Sequence, residues 1–436
     1  MGRKKLSQVL HCSLNSTYVG TLTRKGNQLA FQYSEQYLQN PEAFPISQSL
    51  PLVYEPQQGD QVVSYFDNLL PDEQIVRQHV VDRLGANSVK PFDLLQAVGG
   101  DCVGALTFSH EIDTRGVPEV DLQYLSEQEV SEQIKQTRLG TLGMSQTNSF
   151  RISIAGAQDK TALTRWDGRW GLPKGKTPTT HIFKPSIVSR DERVDMSNSV
   201  YNEFFCMSLL QACGFDTANT TVERFENEAV LIVERFDRLI DEKKIYRVAQ
   251  EDLCQALGVS SGSKYEDKGG PSAKEVVDFL RTSRYPEQDI HDFFASHFLF
   301  WLIGAIDGHA KNFSVFIDSE GYTLTPFYDV MSVWPYVGQG EFQAKKIEMA
   351  MSVRGSKKYY KWHKIMPRHW LNQSKILKIA EDDALGIINQ MLEVVPSALD
   401  VAKRKCEKYG DDAIEVAEVI EANTLEAIKR YKRLSR

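Results

Sequence analysis

The run Asp307-Gly308-His309-Ala310-Lys311-Asn312, followed by a short hairpin and then Phe327-Tyr328-Asp329, constrains this chain more than any other stretch. Residues 293–306 ahead of it are dense in Phe, Leu, Trp and Ile and predict a buried helix. Residues 313–317 read as a strand, 318–321 as a turn and 322–324 as the return strand. A buried helix thus delivers one carboxylate, a tight loop an amide, and the hairpin a second carboxylate facing that amide. This set suits phosphoryl transfer: Asp307 orients or deprotonates the attacking hydroxyl, while Asn312 and Asp329 hold magnesium on nucleotide phosphates. The spacing alone is weak, since Asp82 to Asn87 repeats it with no hairpin behind. The bland alternative is that Asp307 caps a helix end and Asn312 closes a loop.

At 436 residues the chain exceeds one ordinary core and predicts two or three domains or lobes. Hydrophobic content of 42% and charged content of 25% are those of a soluble globular protein. No apolar run reaches the roughly 18 residues of a membrane span. The basic N-terminus lacks the apolar core of a secretory signal. The six cysteines are scattered, with no C-x-x-C pair, and read as reduced buried thiols, so the expectation is a cytoplasmic protein. The nine histidines show no zinc spacing. A net charge of −7 does not suit a dedicated nucleic-acid binder. Residues 354–378 depart from that average, with eight Lys or Arg residues, including Lys375 and Lys378, among Tyr359, Tyr360, Trp362 and Trp370. That stretch is either a patch for DNA phosphates or an acidic partner, or a solvated loop.

Residues 1–110 alternate as short strands with a helix predicted from Pro71 to about Leu84, and 111–235 add strands around one long helix, 200–213. Residues 236–436 carry helical periodicity, with the hairpin as the only expected strands. This predicts an α+β, two-lobed, protein-kinase-like fold: a β-rich N-terminal lobe, a mostly helical C-terminal lobe and a nucleotide between them.

A phosphate-contacting lysine should then come from the first lobe. Lys184 ends a strand, and burying it requires an anionic partner. Glu203 is either that partner or an ordinary helix-surface glutamate. Ser153 to Lys160 is the candidate phosphate lid, because Gly156 between Ala155 and Ala157 lets backbone N–H groups approach phosphate. Glu234 and Phe236 stand where a hinge between lobes belongs. Asp252 reads as an N-cap. The stretch 171–177 fails as a Walker A loop, with three residues between its glycines and a proline inside.

Together these motifs resemble the HipA family, bacterial serine/threonine kinase toxins linked to persistence. The resemblance runs through residues 66–71, 151–158, 179–184, 233–238, 250–252, 307–314 and 326–329. It implies ATP and Mg²⁺ as cofactors, Asp307 as catalytic base, and Asn312 and Asp329 as metal ligands. It implies nucleotide contacts from Ser153, Ile154, Ala155, Gly156, Ala157, Gln158, Lys184, Glu234, Phe236, His309 and Lys311. Ser153 matches the family's autophosphorylation serine, where added charge would repel ATP phosphates and switch the kinase off. Glutamyl-tRNA synthetase is the substrate the resemblance implies. The implied partners are a HipB-like helix-turn-helix antitoxin dimer and, through it, the operator DNA of a repressed operon. Lys375 and Lys378 are the DNA-contact candidates. The alternatives are a small-molecule phosphotransferase on the same fold and a non-catalytic co-repressor.

Overall fold

The computed structural model describes residues 8–112, 116–138, 159–188, 193–340 and 342–435. The N-terminal unit is an antiparallel sheet in the order Gln57–Gln58, Gln28–Tyr33, Thr17–Lys25, Gln8–Leu14, Leu106–Ser109. Alternation puts Leu10, Cys12, Leu22 and Phe31 on its inner face. Helices Asp60–Asn68 and Pro91–Val98 cover that face with Phe66 and Leu95. The helix expected from Pro71 to about Leu84 is Gln74–Leu84, and a further helix, Asp60–Asn68, precedes it with Pro71 in the link between them. Proline has no N–H to donate and suits the break.

A second sheet runs Thr220–Phe225, Glu228–Glu234, His181–Pro185, Thr161–Trp166, Arg169–Pro173, Leu122–Tyr124. Its two faces serve different purposes. Phe183, Leu163, Val230 and Ile232 pack under helix Glu127–Arg138. Leu231 and Val233 point the other way, into the main core, and Lys184 is paired with Leu231 on that face. The helix Ser199–Ala212 lies in the same core and carries Glu203.

The C-terminal lobe is built on helices Pro286–Ile303, Pro367–Ile376, Glu381–Cys406 and Asp411–Leu434. Among the described residues one helical stretch, Glu381–Cys406 with the turn that continues it to Tyr409, is long and apolar enough to cross a membrane. In the fold it packs along Ser199–Ala212 and Asp411–Leu434, with Met391, Val395 and Leu399 buried. The lobe contains more strands than the one hairpin expected. Gln250–Asp252 joins Ser314–Asp318 and Gly321–Leu324 in a three-stranded sheet, and hairpins form at Arg238–Asp241 with Lys244–Arg247 and at Glu348–Arg354 with Lys358–Lys361. Tertiary pairing, rather than local periodicity, makes these short strands.

The basic, aromatic stretch 354–370 also differs from its reading as an open patch. Trp370 is fully buried, Trp362 stacks on Trp301, and Tyr359 stacks on His369. Its aromatic rings serve packing. Lys375 and Lys378 remain exposed, the former 3.1 Å from Glu381.

Two buried polar devices hold the N-terminal unit to the rest. Asp101 takes Arg238 at 3.0 Å and Arg247 at 3.2 Å on one oxygen, and the Thr179 hydroxyl donates to the other at 2.6 Å. Asp237 takes Arg235 and Arg238 at 2.7 Å each and the Gly104 N–H at 2.7 Å. Gly104 has φ 76°, and a Cβ there would lie 2.7 Å from the Gln250 carbonyl, so only glycine permits this approach. Burial pushes Asp101 up, but Arg238, Arg235 and Arg247 outweigh it and hold the carboxyl far below its ordinary range. In the second device, Glu251 is fully buried and accepts from the Gln48 N–H at 2.8 Å. Burial raises it from 4.5 to about 8.

Removing Asp101 strands three buried guanidiniums beside one carboxylate. Asp101→Ala should cost about 3–5 kcal/mol in urea unfolding, and a loss under about 1 kcal/mol would contradict the node. Glu251 binds its proton more tightly folded than unfolded. Its contribution is therefore full below the ordinary 4.5 and is lost as pH rises through about 8. Glu251→Gln should flatten that decline in unfolding free energy, and a steeper decline in the variant would contradict the assignment.

Candidate active site

The apolar helix Pro286–Ile303 ends at Gly304, whose φ of 66° closes it in the left-handed conformation. A Cβ there would meet the Trp334 ring at 2.7 Å. The chain then turns outward, and the Asp307 side chain is 63% exposed. Asn312 Nδ2 donates to the Asp307 main-chain carbonyl at 2.9 Å. That bond closes the loop and leaves the Asn312 amide oxygen for another partner. His309 Nε2 lies 3.9 Å from Asp307 Oδ2, and burial pushes its imidazole below its ordinary value despite that carboxylate.

Strand Ser314–Asp318 runs back between Gln250–Asp252 and Gly321–Leu324, with Ser314 opposite Asp252. Asp252 is the N-cap of the short helix after it, accepting from Gln255 N at 2.9 Å, as its sequence position predicts. The return segment is anchored twice. The Tyr328 hydroxyl donates to the Lys311 carbonyl at 2.8 Å, and Phe327 exchanges main-chain hydrogen bonds with Asp216 and Ala218, at 2.9 Å each. Asp329 follows at φ 60°, a left-handed conformation that Asp tolerates better than most residues.

Asp329 then meets the first lobe. Lys184 Nζ donates to Asp329 Oδ1 at 2.6 Å and to Glu203 Oε1 at 2.7 Å. Burial alone would lower the lysine, but the two carboxylates outweigh it and keep it charged. Burial would likewise raise Asp329, and Lys184 outweighs it, so Asp329 is ionised. Glu203 is the lysine's partner, fully buried, rather than a helix-surface residue. Lys160 stands near the same charges. Burial pulls it down to about 8, with Lys184 adding to the effect and Asp329 opposing it.

Lys184, Asp307, Asn312 and Asp329 line one cleft between the lobes, a cavity of about 350 Å³. Ile182, Val233 and Phe236 give it an apolar end, with Phe236 packed edge-on to Phe316. Glu234 lines it too, its carboxylate accepting from Asn219 at 3.1 Å. His309 and Lys311 also line it. The Lys311 ammonium, however, is engaged by the Asn68 amide oxygen at 2.8 Å, Asp72 at 3.3 Å and Asp252 at 3.4 Å. Its charge holds the N-terminal unit against the cleft floor. Ser153, Ile154, Ala155, Gly156, Ala157 and Gln158 lie outside the described residues.

Tyr265 is a site residue that sequence reasoning missed. Its hydroxyl donates to Asp307 Oδ1 at 2.7 Å, and its ring sits edge-on to His309. It lies in the turn-rich run Ser260 to Gly270, which carries no chemical motif. Nor did sequence reasoning single out Asn68 or Asp72 as cleft residues.

Comparison with known proteins shows the family and the fold. Residues 10–109 match the HipA N-terminal domain and residues 152–399 the HipA-like C-terminal domain. A Sinorhizobium fredii protein with a kinase name, Y4mE, is 33% identical over 336 residues, 76% of this chain and 78% of that one. The serine/threonine-protein kinase toxin HipA of Shewanella oneidensis is 29% identical over 348 residues, 76% of each. A solved Shewanella oneidensis HipA, in a complex with HipB and its operator DNA, superposes with a TM-score of 0.82 at 24% identity, covering 98% of both chains. The fold is therefore the expected α+β, two-lobed, kinase-like one. By both of its domain models and by its similarity to kinase-named relatives, this chain belongs to the HipA family.

Proposed function

We propose that this protein is an ATP-dependent serine/threonine protein kinase and the toxin of a toxin–antitoxin pair. The observation that carries the reading is the shared cleft. A charged lysine bridged to Asp329, the Asn312 amide and an exposed Asp307 carboxylate all border it. When bound, magnesium-ATP supplies the transferable phosphoryl group with its charge partly neutralised. The donors fit that cofactor. Among the described residues no three His, Cys, Asp or Glu side chains gather to hold a metal on their own. Magnesium asks for less, since one or two protein oxygens plus substrate phosphates and water complete its shell. Asp329 and the Asn312 amide oxygen are the hard donors, and Lys184 is the phosphate contact.

The remaining roles follow from chemistry. Asp307 accepts the proton of the acceptor hydroxyl, and the Asn312 bond to its main chain keeps the two groups in register. Phe236, Ile182 and Val233 offer an apolar seat for the base, with Glu234 at the hinge. Residues 153–158 are the phosphate loop, and phosphate on Ser153 would repel the nucleotide and silence the enzyme. The relatives support a wider role: a HipB-like antitoxin dimer neutralises the kinase and carries it to operator DNA, where the assembly represses its operon. Glutamyl-tRNA synthetase is the proposed substrate.

Labelled ATP with magnesium and cell extract should label a protein band. Asp307→Asn should cut that transfer by about 10²–10⁴-fold while nucleotide affinity holds. Label appearing only in small molecules, or full activity in the variant, would contradict the reading. With antitoxin bound, reversing charge at Lys375 and Lys378 should weaken operator binding and flatten its salt dependence, and an unchanged slope would remove these lysines from the DNA interface.

A further inference from the structure

Asp307 borders two hollows. One is the cleft already described. The other, of about 470 Å³, is lined by a different set of residues, and the two share only Asp307 and Met331. Its walls near the carboxylate are thioether, aliphatic and aromatic, from Ile306, Met331, Phe342, Met349, Ala350 and Tyr360. The two acids that line it besides Asp307, Asp267 and Glu348, are exposed.

These walls are tied to the base. The Ala350 N–H donates to the Ile306 carbonyl at 2.8 Å, which docks strand Glu348–Arg354 beside the residue preceding Asp307. Glu266, buried, accepts from the Ser352 N–H at 2.6 Å and from Lys358 at 2.9 Å. It thereby fastens the Tyr265 turn to the same hairpin. Tyr265 in turn places a hydroxyl 2.7 Å from Asp307 Oδ1. That bond marks how an alcohol entering from this side would meet the base.

We infer that this groove seats the phosphoacceptor segment of a protein substrate and selects for a large apolar side chain next to the serine or threonine. The inference rests on the kinase reading above and specifies its acceptor. A phosphoryl donor in the cleft and an acceptor in the groove would meet at Asp307, which borders both. The acceptor hydroxyl loses its proton to Asp307 as its oxygen bonds to the γ-phosphorus, and the bond from that phosphorus to the departing ADP breaks. A small cationic acceptor would want carboxylates at the base of the groove. Here the only carboxylates besides Asp307 itself are the exposed Asp267 and Glu348, while the apolar walls reward a buried Leu, Met or Phe.

A positional-scanning library of serine peptides, with magnesium-ATP and the full-length protein, tests this. Leu, Met or Phe at a position adjacent to serine should raise kcat/KM about tenfold over Ala at that position. Ala350→Leu, which fills the groove, should raise KM for those peptides about tenfold and leave ATP affinity unchanged. Phe342→Ala, at a half-exposed position, should lower the discrimination and guards against a misfolded first variant. Transfer to peptides or to a protein with no apolar preference, or with preference unmoved by both variants, would overturn the groove assignment and leave the kinase reading intact. No transfer to any peptide or protein would overturn both.

Discussion

One ammonium group organises this molecule. Lys184 comes from the second sheet of the N-terminal lobe, Glu203 from the helix packed beneath that sheet, and Asp329 from the end of the hairpin segment in the other lobe. Two carboxylates within 2.7 Å of one buried lysine compensate its loss of hydration and fix where the hairpin ends relative to the sheet. Asp329 is the only one of the three with appreciable exposure, at 34% of its side chain. The free side of that carboxylate is what the cleft receives. The same contact that joins the lobes therefore supplies the site with a fixed negative charge, and the left-handed backbone at Asp329 is retained because the lysine and the Tyr328 anchor hold it there.

The other polar interlocks set the cleft's shape more than its stability. Buried ion pairs return little net free energy, because desolvation cancels most of the attraction. They do tolerate only one geometry. The Asp101–Asp237–arginine node joins the strand-and-turn end of the N-terminal unit, Thr179 and the hinge strand. Lys311 joins helix Asp60–Asn68 to the loop carrying Asp307 and Asn312. A small N-terminal sheet that makes no catalytic contact thus braces the floor and hinge of the cleft. The apolar core of the C-terminal lobe, centred on Phe293, Phe298, Trp301 and Trp370, supplies the rigid body on which the loop is mounted.

What the residues revealed in advance divides by range. Asp307, Asn312 and Asp329 were readable because loop, hairpin and second carboxylate follow one another within 23 residues. The Lys184–Glu203 pair was readable as a need, since a buried strand lysine demands an anion. Tyr265 reaches Asp307 across 42 positions and Asp101 reaches Thr179 across 78, and no local pattern announces either. Strand Glu348–Arg354 was missed because Met349, Ala350 and Met351 follow one another without polar alternation, and so short a run fits a strand buried on both faces as well as it fits a helix. The basic stretch after it was left open between a binding patch and a solvated loop for a related reason. Aromatic residues between lysines look the same whether the rings face a ligand or the core, and here Trp362 and Trp370 belong to the core. Lys311, a nucleotide contact by the family resemblance, lines the cleft, and its partners Asn68, Asp72 and Asp252 come from remote segments that no local pattern announces.

The central claim is that Asn312 and Asp329 hold a metal-bound triphosphate against Lys184, within reach of Asp307. Anomalous scattering from crystals grown with Mn²⁺ and a non-hydrolysable ATP analogue tests it most directly. The account predicts one strong peak within about 2.0–2.2 Å of an oxygen from each of Asn312 and Asp329, with phosphate oxygens completing the shell. A metal coordinated elsewhere, or a triphosphate bound with neither residue in contact, would contradict it.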